Sequence, residues 1–273
     1  MPHFTARDGT KLAYSDQGSG LPVLCLAGLT RNMRDFDFVA PHLTDIRMIR
    51  MDYRGRGASD WADPATYTVA QESADVLELL DHLGLDSVAI IGASRGGLIA
   101  MALSAMAPAR LKGVCLNDIG PELDLSGLDV IMTYLGKRPA AKTFDEAAEA
   151  RALFMAGFDD VPLARWRQEV THMFKEVPDG LELTYDPALR DTIAKADAAG
   201  FPDLWPFFTA MAAKPLALVH GQNSNLLTAE TVARMQQEAP DMLIASVPGR
   251  GHTPFLDEPE SLEVIREWLG QMP

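Results

Sequence analysis

The sequence predicts an α/β fold in which a mostly parallel β-sheet is covered by helices on both faces and carries a helical insertion. Two observations predict this architecture. Six short apolar runs of strand length recur along the chain, and stretches with helical periodicity separate most of them. Strands that are apolar on both faces and alternate with helices are typical of a parallel sheet buried on both sides.

The predicted elements follow a regular order. An N-terminal hairpin joins residues 3–6 to residues 11–15 through the turn Arg7-Asp8-Gly9-Thr10. Residues 69–83 carry a helical pattern with an apolar face. The six apolar runs are PVLCLAG (22–28), IRMIRMD (46–52), SVAIIG (87–92), LKGVCLND (111–118), LALVHG (216–221) and MLIASVPG (242–249).

The alternation breaks after the fourth run. From about residue 121 to residue 213 there is no strand-like run, only helical periodicity. We therefore predict a core formed by residues 1–120 and 214–273, with a helical lid at 121–213. The insertion either packs on the sheet as a helical subdomain or shapes a substrate pocket with an apolar face. The candidate pocket residues on that face are Met132, Met155, Met173 and Trp205.

Charge and composition favour a protein that binds a small molecule. The 273 residues include 38 acidic and 24 basic ones, and the net charge of −14 repels the phosphates of nucleic acids and anionic membranes. The chain has no His-Glu-x-x-His, no Cys-x-x-Cys and no dinucleotide glycine fingerprint, so we expect neither a metal nor an organic cofactor. The sequence leaves the oligomeric state open.

Cysteine usage and the N-terminus point to a cytoplasmic protein. Cys25 and Cys115 each lie in an apolar run, which favours two buried thiols over a disulfide. The first 20 residues contain no apolar signal core, and no run of about 18 apolar residues occurs in the chain.

The stretch IIGASRGGLIAM contains a candidate nucleophile, Ser94. A predicted strand runs into Gly92-Ala93-Ser94-Arg95-Gly96, and a predicted helix follows at once. A sharp strand-to-helix turn leaves no room for side chains two positions before and after the serine, which explains the two glycines. Such a turn exposes the hydroxyl above the sheet, and the helix N-terminus adds positive potential beneath it.

With this motif the chain resembles the α/β-hydrolase family over nearly its whole length. LCLAGLTRN (24–32) is similar to the family's first oxyanion loop, although Ala27 stands where many members carry histidine. DYRGRGASD (52–60) and GRGHTPFLDEP (249–259) resemble its second signature loop and its histidine loop. The resemblance implies Ser94 as nucleophile, His252 as base, and the N–H groups of Leu29 and Arg95 as the oxyanion hole. It also implies that the helical insertion is the lid.

The position of His252 supports its role as the base independently. A serine hydroxyl is a weak nucleophile until a neighbouring base removes its proton. Of six histidines, only His252 lies in a glycine-rich loop after a predicted strand, at the edge where the parallel strands end. We expect His220, which ends the fifth run, to be a structural or pocket residue. His3 lies in the hairpin, and His42, His82 and His172 lie on helical patterns and are expected to be solvated.

The third member of a triad is less evident, because most family members place a carboxylate where this chain has Asn225. Three hypotheses follow: an inactive binding protein, orientation of His252 by the Asn225 amide, or an acid from another strand end. Asp118 follows the fourth run, whose end neighbours that of the nucleophile's strand. Some small esterases of the family take their acid from the same strand. We therefore predict Asp118 as the acid, with Asn225 as the second choice; a helix cap or a partner of Arg95 is the structural alternative.

The expected substrate contacts are Arg95, Trp166 and Trp205. A cation directly after the nucleophile lies at a helix N-terminus, where the macrodipole disfavours it. Two alternatives can compensate the positive charge of Arg95. One is a structural ion pair, with Asp118 or another buried acid as the partner, and the other is an anionic group of the substrate.

The predicted function is hydrolysis of a carboxylic ester or lactone with a mainly apolar acyl part. A serine nucleophile excludes the dehalogenase and epoxide-hydrolase branches of the family resemblance, which use aspartate. Thioester hydrolysis, cofactor-free perhydrolysis and carbon–carbon bond hydrolysis of dienoic diketo acids share Ser94 and His252, so the triad does not separate them. A hydrolase-fold binding protein with an impaired triad is the non-enzymatic alternative.

Overall fold

The computed structural model describes residues 1–199 and 202–272, and ten strands lie in this part of the chain. They are β1 His3–Thr5, β2 Lys11–Gly18, β3 Leu21–Leu26, β4 Ile46–Met51, β5 Val88–Ala93, β6 Leu111–Asn117, β7 Phe174–Val177, β8 Gly180–Leu183, β9 Leu216–Gly221 and β10 Leu243–Val247. Eight of them form one sheet in the order β1-β2-β4-β3-β5-β6-β9-β10. Only β2 runs antiparallel to its described neighbours, β1 and β4, so the sheet is mostly parallel.

The α-helices of the described residues cover this sheet and form most of the insertion. They are α1 Val69–His82, α2 Arg95–Met106, α3 Leu125–Tyr134, α4 Phe144–Phe154, α5 Leu163–Met173, α6 Leu189–Ala199, α7 Trp205–Met211, α8 Ala229–Glu238 and α9 Pro259–Gly270. None of the described helices is long and apolar enough to cross a membrane.

Both faces of the sheet are buried, which explains the continuous apolar runs. In β3, Leu24 and Leu26 belong to a core that α1, α2, α7 and α8 share. The alternating residues Val23 and Cys25 belong to a second core, completed by α9. Because successive side chains of a strand point to opposite faces, a strand covered on both sides has to be apolar throughout. The predicted fold class and all six strands are confirmed.

The two cysteines are free and buried on the α9 side of the sheet, as predicted. Cys25 lies in β3 and Cys115 in β6. Burial raises the pKa of the Cys25 thiol to about 12, so it stays protonated and inert at neutral pH.

The insertion between β6 and β9 differs from the prediction in one respect. Besides α3 to α7 it contains an antiparallel hairpin of β7 and β8, which the prediction of helical structure alone had missed. Both strands have only four residues, so they carry no continuous apolar run. The turn Pro178-Asp179 followed by Gly180, whose φ is 131°, was the available signal. The division into core and lid stays a prediction.

The parallel strands bring distant parts of the sequence to one edge. Ser94 follows β5, Asp118 follows the neighbouring β6, and His252 lies in the loop after β10. The carboxyl ends of parallel strands meet at the same edge of a sheet, where α/β folds commonly bind their ligands. We therefore expect a functional site at this edge of the sheet.

Candidate active site

Ser94 lies on the tight turn between β5 and α2. Its backbone has a φ of 49° and a ψ of −113°, an uncommon conformation for a residue other than glycine. A side chain on Gly92 would place its Cβ 2.7 Å from the backbone of Gly96, and one on Gly96 would lie 2.1 Å from the Leu26 carbonyl oxygen. The steric reason predicted for the two glycines therefore holds in the structure.

His252 connects Ser94 to Asp118. Its Nε2 lies 3.0 Å from Ser94 Oγ, and its Nδ1 lies 2.8 Å from Asp118 Oδ2. Both distances are within the range of hydrogen bonds. The structure thus brings together the three residues that are 158 and 134 positions apart in sequence. Their order, hydroxyl to imidazole to carboxylate, is the arrangement by which serine hydrolases activate the hydroxyl.

Asp118 is fully buried, and the last residue of β9 and the turn after it hold it in place. The Gly221 N–H donates to Oδ1 at 2.8 Å, and the Ser224 hydroxyl lies 2.6 Å from Oδ2. Asn225, the second choice for the acid, is instead exposed at the surface. The turn that carries an acid in most of the family thus supports the carboxylate through Ser224, which sequence reasoning had missed.

The loop of Leu29 lies directly beside Ser94. A Cβ on Gly28 would be 3.8 Å from the Ser94 Cβ, and Leu29 and Ser94 line the same cavity. Arg95 is the first residue of α2, so its N–H lies at a helix N-terminus, which favours negative charge. The assignment of both N–H groups as oxyanion donors stays a prediction.

The Arg95 side chain points away from a substrate role, because a buried carboxylate binds it. Its Nε donates to Glu72 Oε2 at 2.5 Å and its Nη2 donates to the Tyr67 carbonyl at 3.0 Å. Arg56 Nη1 lies 2.9 Å from the other Glu72 oxygen, and both Arg56 and Glu72 are completely buried. We call Arg56, Glu72 and Arg95 the closed arginine cluster. The ion-pair alternative is therefore the observed one, with Glu72 rather than Asp118 as the partner.

The closed arginine cluster also reaches the loop of Leu29. Arg56 Nε donates to the Leu29 carbonyl at 3.1 Å, and the Arg56 guanidinium lies 5.3 Å from the centre of the Tyr67 ring. Through Arg56, Glu72 therefore connects Arg95 to the loop of Leu29. A rigid link of this kind holds the two backbone N–H groups at a constant separation.

A cavity of about 110 Å³ opens beside Ser94 and His252. Of the predicted pocket residues, Met155 and Met173 line it, whereas Met132 does not. Trp166 is 2% exposed and packs behind Phe158 and Phe255, which form the wall in its place.

The other predicted aromatic contact, Trp205, also lies outside the wall of this cavity. It packs edge-on against Phe208 and beneath the Arg234 guanidinium, 3.7 Å from the ring centre. Neither tryptophan nor the Arg95 side chain is therefore placed as a substrate contact. Helical periodicity identifies an apolar face but not whether the sheet, another helix or a cavity covers it.

One wall of the cavity is charged, which the sequence had not indicated. Arg31 Nε donates to Asp35 at 2.6 Å and Arg31 Nη2 donates to Glu169 at 2.5 Å. Arg151 Nη2 lies 3.9 Å from the same Glu169 oxygen. All four residues line the cavity, and we call them the charged wall. Two come from the segment after β3 and two from α4 and α5 of the insertion.

The remaining histidines that approach the site have structural contacts. His220 is buried, and its Nε2 lies 3.0 Å from the Leu227 carbonyl, as expected of a structural residue. His172 differs from the prediction of a solvated side chain, because it is buried and stacks on Phe38 at 5.2 Å. In the described part of the chain, no group of three or more His, Cys, Asp or Glu residues is placed to hold a metal ion.

The chain belongs to the alpha/beta hydrolase family, whose sequence model matches residues 23–263. Its fold agrees closely with the crystal structure of an alpha/beta hydrolase from Novosphingobium aromaticivorans. The TM-score is 0.92 and the identity 35%, over 99% of this chain and 98% of the other. Fold and family together identify the protein as a hydrolase of the α/β-hydrolase fold.

Two characterised relatives span nearly the whole chain. A 3-hydroxybutyrate-oligomer hydrolase of Cupriavidus necator is 36% identical over 266 residues, which are 94% of this chain and 90% of the relative. A 2-(acetamidomethylene)succinate hydrolase of Mesorhizobium japonicum is 25% identical over 244 residues, which are 88% of this chain and 84% of the relative. Both relatives are hydrolases by name, and they differ in substrate.

Proposed function

We propose that the protein is a serine hydrolase that cleaves a carboxylic ester through an acyl-enzyme on Ser94. The observation that carries this proposal is the hydrogen-bonded series from Ser94 Oγ to His252 at 3.0 Å and from His252 to Asp118 at 2.8 Å. A series of this order gives a serine hydroxyl both a base and a group that holds the base in the productive tautomer. Lactones, as cyclic esters, fall under the same chemistry.

In the proposed mechanism, Ser94 Oγ attacks the ester carbonyl while His252 Nε2 accepts its proton. Asp118 stays ionised, accepts from His252 Nδ1 and stabilises the imidazolium. The N–H groups of Leu29 and Arg95 stabilise the oxyanion, and one donor of this kind is worth about 3 kcal/mol in the transition state.

His252 then donates its proton to the leaving alcohol, which departs and leaves the acyl group on Ser94. A water molecule, deprotonated by His252, attacks the acyl-enzyme and releases the acid. Ser94 regains its proton in this step, so the cycle consumes one water for each ester bond cleaved.

Ester hydrolysis is also the activity that the relatives favour. The relative at 36% identity hydrolyses oligomers of 3-hydroxybutyrate, whose units are joined by ester bonds. Short oligoesters of a hydroxy acid therefore belong in the first substrate panel.

Carbon–carbon bond hydrolysis is the second candidate for the same three residues. The identity of 25% to the relative that hydrolyses 2-(acetamidomethylene)succinate favours an activity other than simple ester cleavage. The binding-protein alternative rested on the amide at Asn225, whereas the 2.8 Å distance between Asp118 Oδ2 and His252 Nδ1 supports the enzymatic proposal.

Hydrolysis of 4-nitrophenyl butyrate by the wild type and by Ser94→Ala tests the proposal. We expect Ser94→Ala to lose turnover by at least about 10³-fold, because the covalent route is closed. Ser246→Ala, which changes an exposed serine at the end of β10, is the matched control and should retain wild-type turnover. Mass spectrometry after treatment with an alkyl fluorophosphonate should find the adduct on the peptide that contains Ser94. Turnover by Ser94→Ala at the wild-type rate would rule out this mechanism.

A further inference from the structure

The charged wall is the part of the cavity that the proposed ester chemistry does not use. Arg31 is bound by both carboxylates of the wall, at 2.6 Å and 2.5 Å. Arg151 is held less completely, because 3.9 Å from Glu169 is within the range of an ion pair but too long for a hydrogen bond. The two guanidinium groups line the cavity in which an ester would bind. A substrate group that pairs with them would therefore be preferred.

Each guanidinium of the wall has a donor without an acceptor. Within residues 1–199 and 202–272, the buried Nη1 of Arg31 and the buried Nε of Arg151 have no hydrogen-bond partner. Buried donors in native proteins are satisfied in the great majority of cases, so two exceptions beside one cavity require an explanation. An acceptor brought by a ligand supplies one.

The charges of the wall also leave room for an anion. Burial, together with the neighbouring Glu169, raises the pKa of Asp35 above its ordinary value despite the charge of Arg31. Although burial opposes it, the charges of Arg31 and Arg151 lower the pKa of Glu169. Asp35 is therefore the weaker acid of the two, and both guanidinium groups share the Glu169 carboxylate as a counter-charge.

We propose that Arg31 and Arg151 bind a free carboxylate of the substrate, so that the preferred substrate is an ester that also carries a carboxylic acid. The inference rests on the proposed function, and it assigns the wall a role in specificity. A carboxylate is planar and accepts two parallel N–H bonds, which matches the guanidinium fork. The net charge of −14 favours an anion with one charge over a phosphate.

A matched pair of esters tests the proposal directly. The 4-nitrophenyl monoesters of glutaric, adipic and pimelic acid each carry a free carboxylate, and their methyl 4-nitrophenyl diesters have the same chain with the charge removed. Release of nitrophenolate reports the same bond in both. At the best chain length, we expect kcat/KM to be at least about tenfold higher for the monoester than for the diester, because one charge-assisted hydrogen bond contributes about this factor. Equal values across the series would overturn the inference while leaving the proposed function intact.

Arginine variants decide whether the wall carries that preference. Arg151→Gln should lower the monoester-to-diester ratio of kcat/KM to near one, mainly through KM. Arg31→Lys keeps a positive charge between Asp35 and Glu169 but loses the planar fork, so it should lower the same ratio. Arg167→Gln removes an exposed arginine of α5 that pairs with Asp145, and it should keep the wild-type ratio. If Arg151→Gln lowers both esters in parallel, the arginine is structural and the inference fails.

Binding without turnover separates this inference from the proposed function. In Ser94→Ala, calorimetry should show that the monomethyl ester of the best diacid binds at least about tenfold more tightly than its dimethyl ester. Equal affinities would overturn the inference. If the wild type hydrolyses none of these esters, the proposed function fails, and the difference in binding still decides what the charged wall recognises.

Discussion

The proposed triad and the charged wall face the same cavity but differ in how completely their polar atoms are partnered. Asp118 accepts from the Gly221 N–H, the Ser224 hydroxyl and His252, and no accessible surface remains on it. The wall, in contrast, has buried atoms without a partner in the described residues: Arg31 Nη1, Asp35 Oδ1 and Arg151 Nε. Complete partnering holds a geometry constant, whereas incomplete partnering leaves a group available to a ligand.

A second contrast separates the two sets of arginines: the carboxylate partner of Arg95 lies away from the cavity, whereas that of Arg151 lies in its wall. The charge of Arg95 is compensated inside the protein by Glu72, although Arg95 follows the nucleophile directly in sequence. Arg151 follows Ser94 by 57 positions, yet it lines the cavity, and its Nη2 lies 3.9 Å from the Glu169 carboxylate. Proximity to Ser94 in sequence is therefore a poorer guide to substrate contact than the position of the carboxylate that pairs with the arginine.

The largest effect is expected at the fully partnered carboxylate. Asp118→Asn should lower kcat for 4-nitrophenyl butyrate by about 10⁴-fold, because an amide holds the imidazole in the wrong tautomer and cannot stabilise the imidazolium. Asn225→Ala changes an exposed side chain and should stay within about twofold of wild type. A strong gain of activity in Asn225→Asp, with little loss in Asp118→Asn, would instead place the acid at position 225.

Glu72→Gln breaks the closed arginine cluster and should destabilise the fold by about 3–5 kcal/mol, because it leaves two buried guanidinium groups without their counter-charge. Urea unfolding measures this loss. The exposed Glu267 of α9 provides the control, and Glu267→Gln should change stability by less than about 0.5 kcal/mol. Since the closed cluster does not contact the substrate, Glu72→Gln should lower hydrolysis of the monoester and the diester alike. A change in their ratio would contradict the separation of the two clusters.

Asp35→Asn sharpens the comparison by removing a negative charge from the charged wall. The Arg31 guanidinium keeps Glu169 as its partner, so the positive potential in the cavity increases. The monoester-to-diester ratio of kcat/KM should therefore rise by about threefold to tenfold, opposite in sign to Arg151→Gln. Substitution of Asp145, the exposed partner of Arg167, by Asn makes the same charge change away from the cavity. An equal rise in both variants would indicate a general charge effect.

The smallest effect concerns His172, which stacks on Phe38 and lies 4.0 Å from Asp37. Burial, with a contribution from Arg34 and Arg31 against Glu169 and Asp37, lowers its pKa from 6.5 to about 4. The unfolded chain therefore binds more protons between these values, so this contribution to stability is complete above pH 6.5 and is lost as the pH falls to 4.

His172→Phe retains the stacking on Phe38 and cannot titrate. Between pH 6.5 and pH 4 its unfolding free energy should fall less steeply than that of the wild type, by on the order of 1 kcal/mol. Urea unfolding over this pH range measures the difference, with His42→Gln, at an exposed position, as control. Parallel pH profiles for wild type and His172→Phe would show that this side chain does not contribute.

Much of the fold could be predicted from local pattern. Five of the six predicted strands have no exposed residue and the edge strand β10 exposes only Ser246, so their apolar runs are nearly continuous and visible without any tertiary information. The hairpin of β7 and β8 was missed because its short strands are only partly buried, and the solvent-facing residues interrupt the pattern. His172 was misjudged for a related reason, since the surface that buries it, including Phe38, comes from a distant segment.

The sequence by itself determined the strand-to-helix turn at Ser94, because two positions there admit only glycine, and it singled out His252 and Asp118 through their positions after strands. Only the tertiary structure decided that Asp118 rather than Asn225 approaches His252, that Glu72 compensates Arg95, and that four charged residues form one wall of the cavity. The physical reason is that turn geometry depends on a few neighbouring residues. The pairing of charges instead depends on distances between different segments, which are 23 positions apart for Glu72 and Arg95 and 138 for Arg31 and Glu169, and local pattern carries no information about those distances.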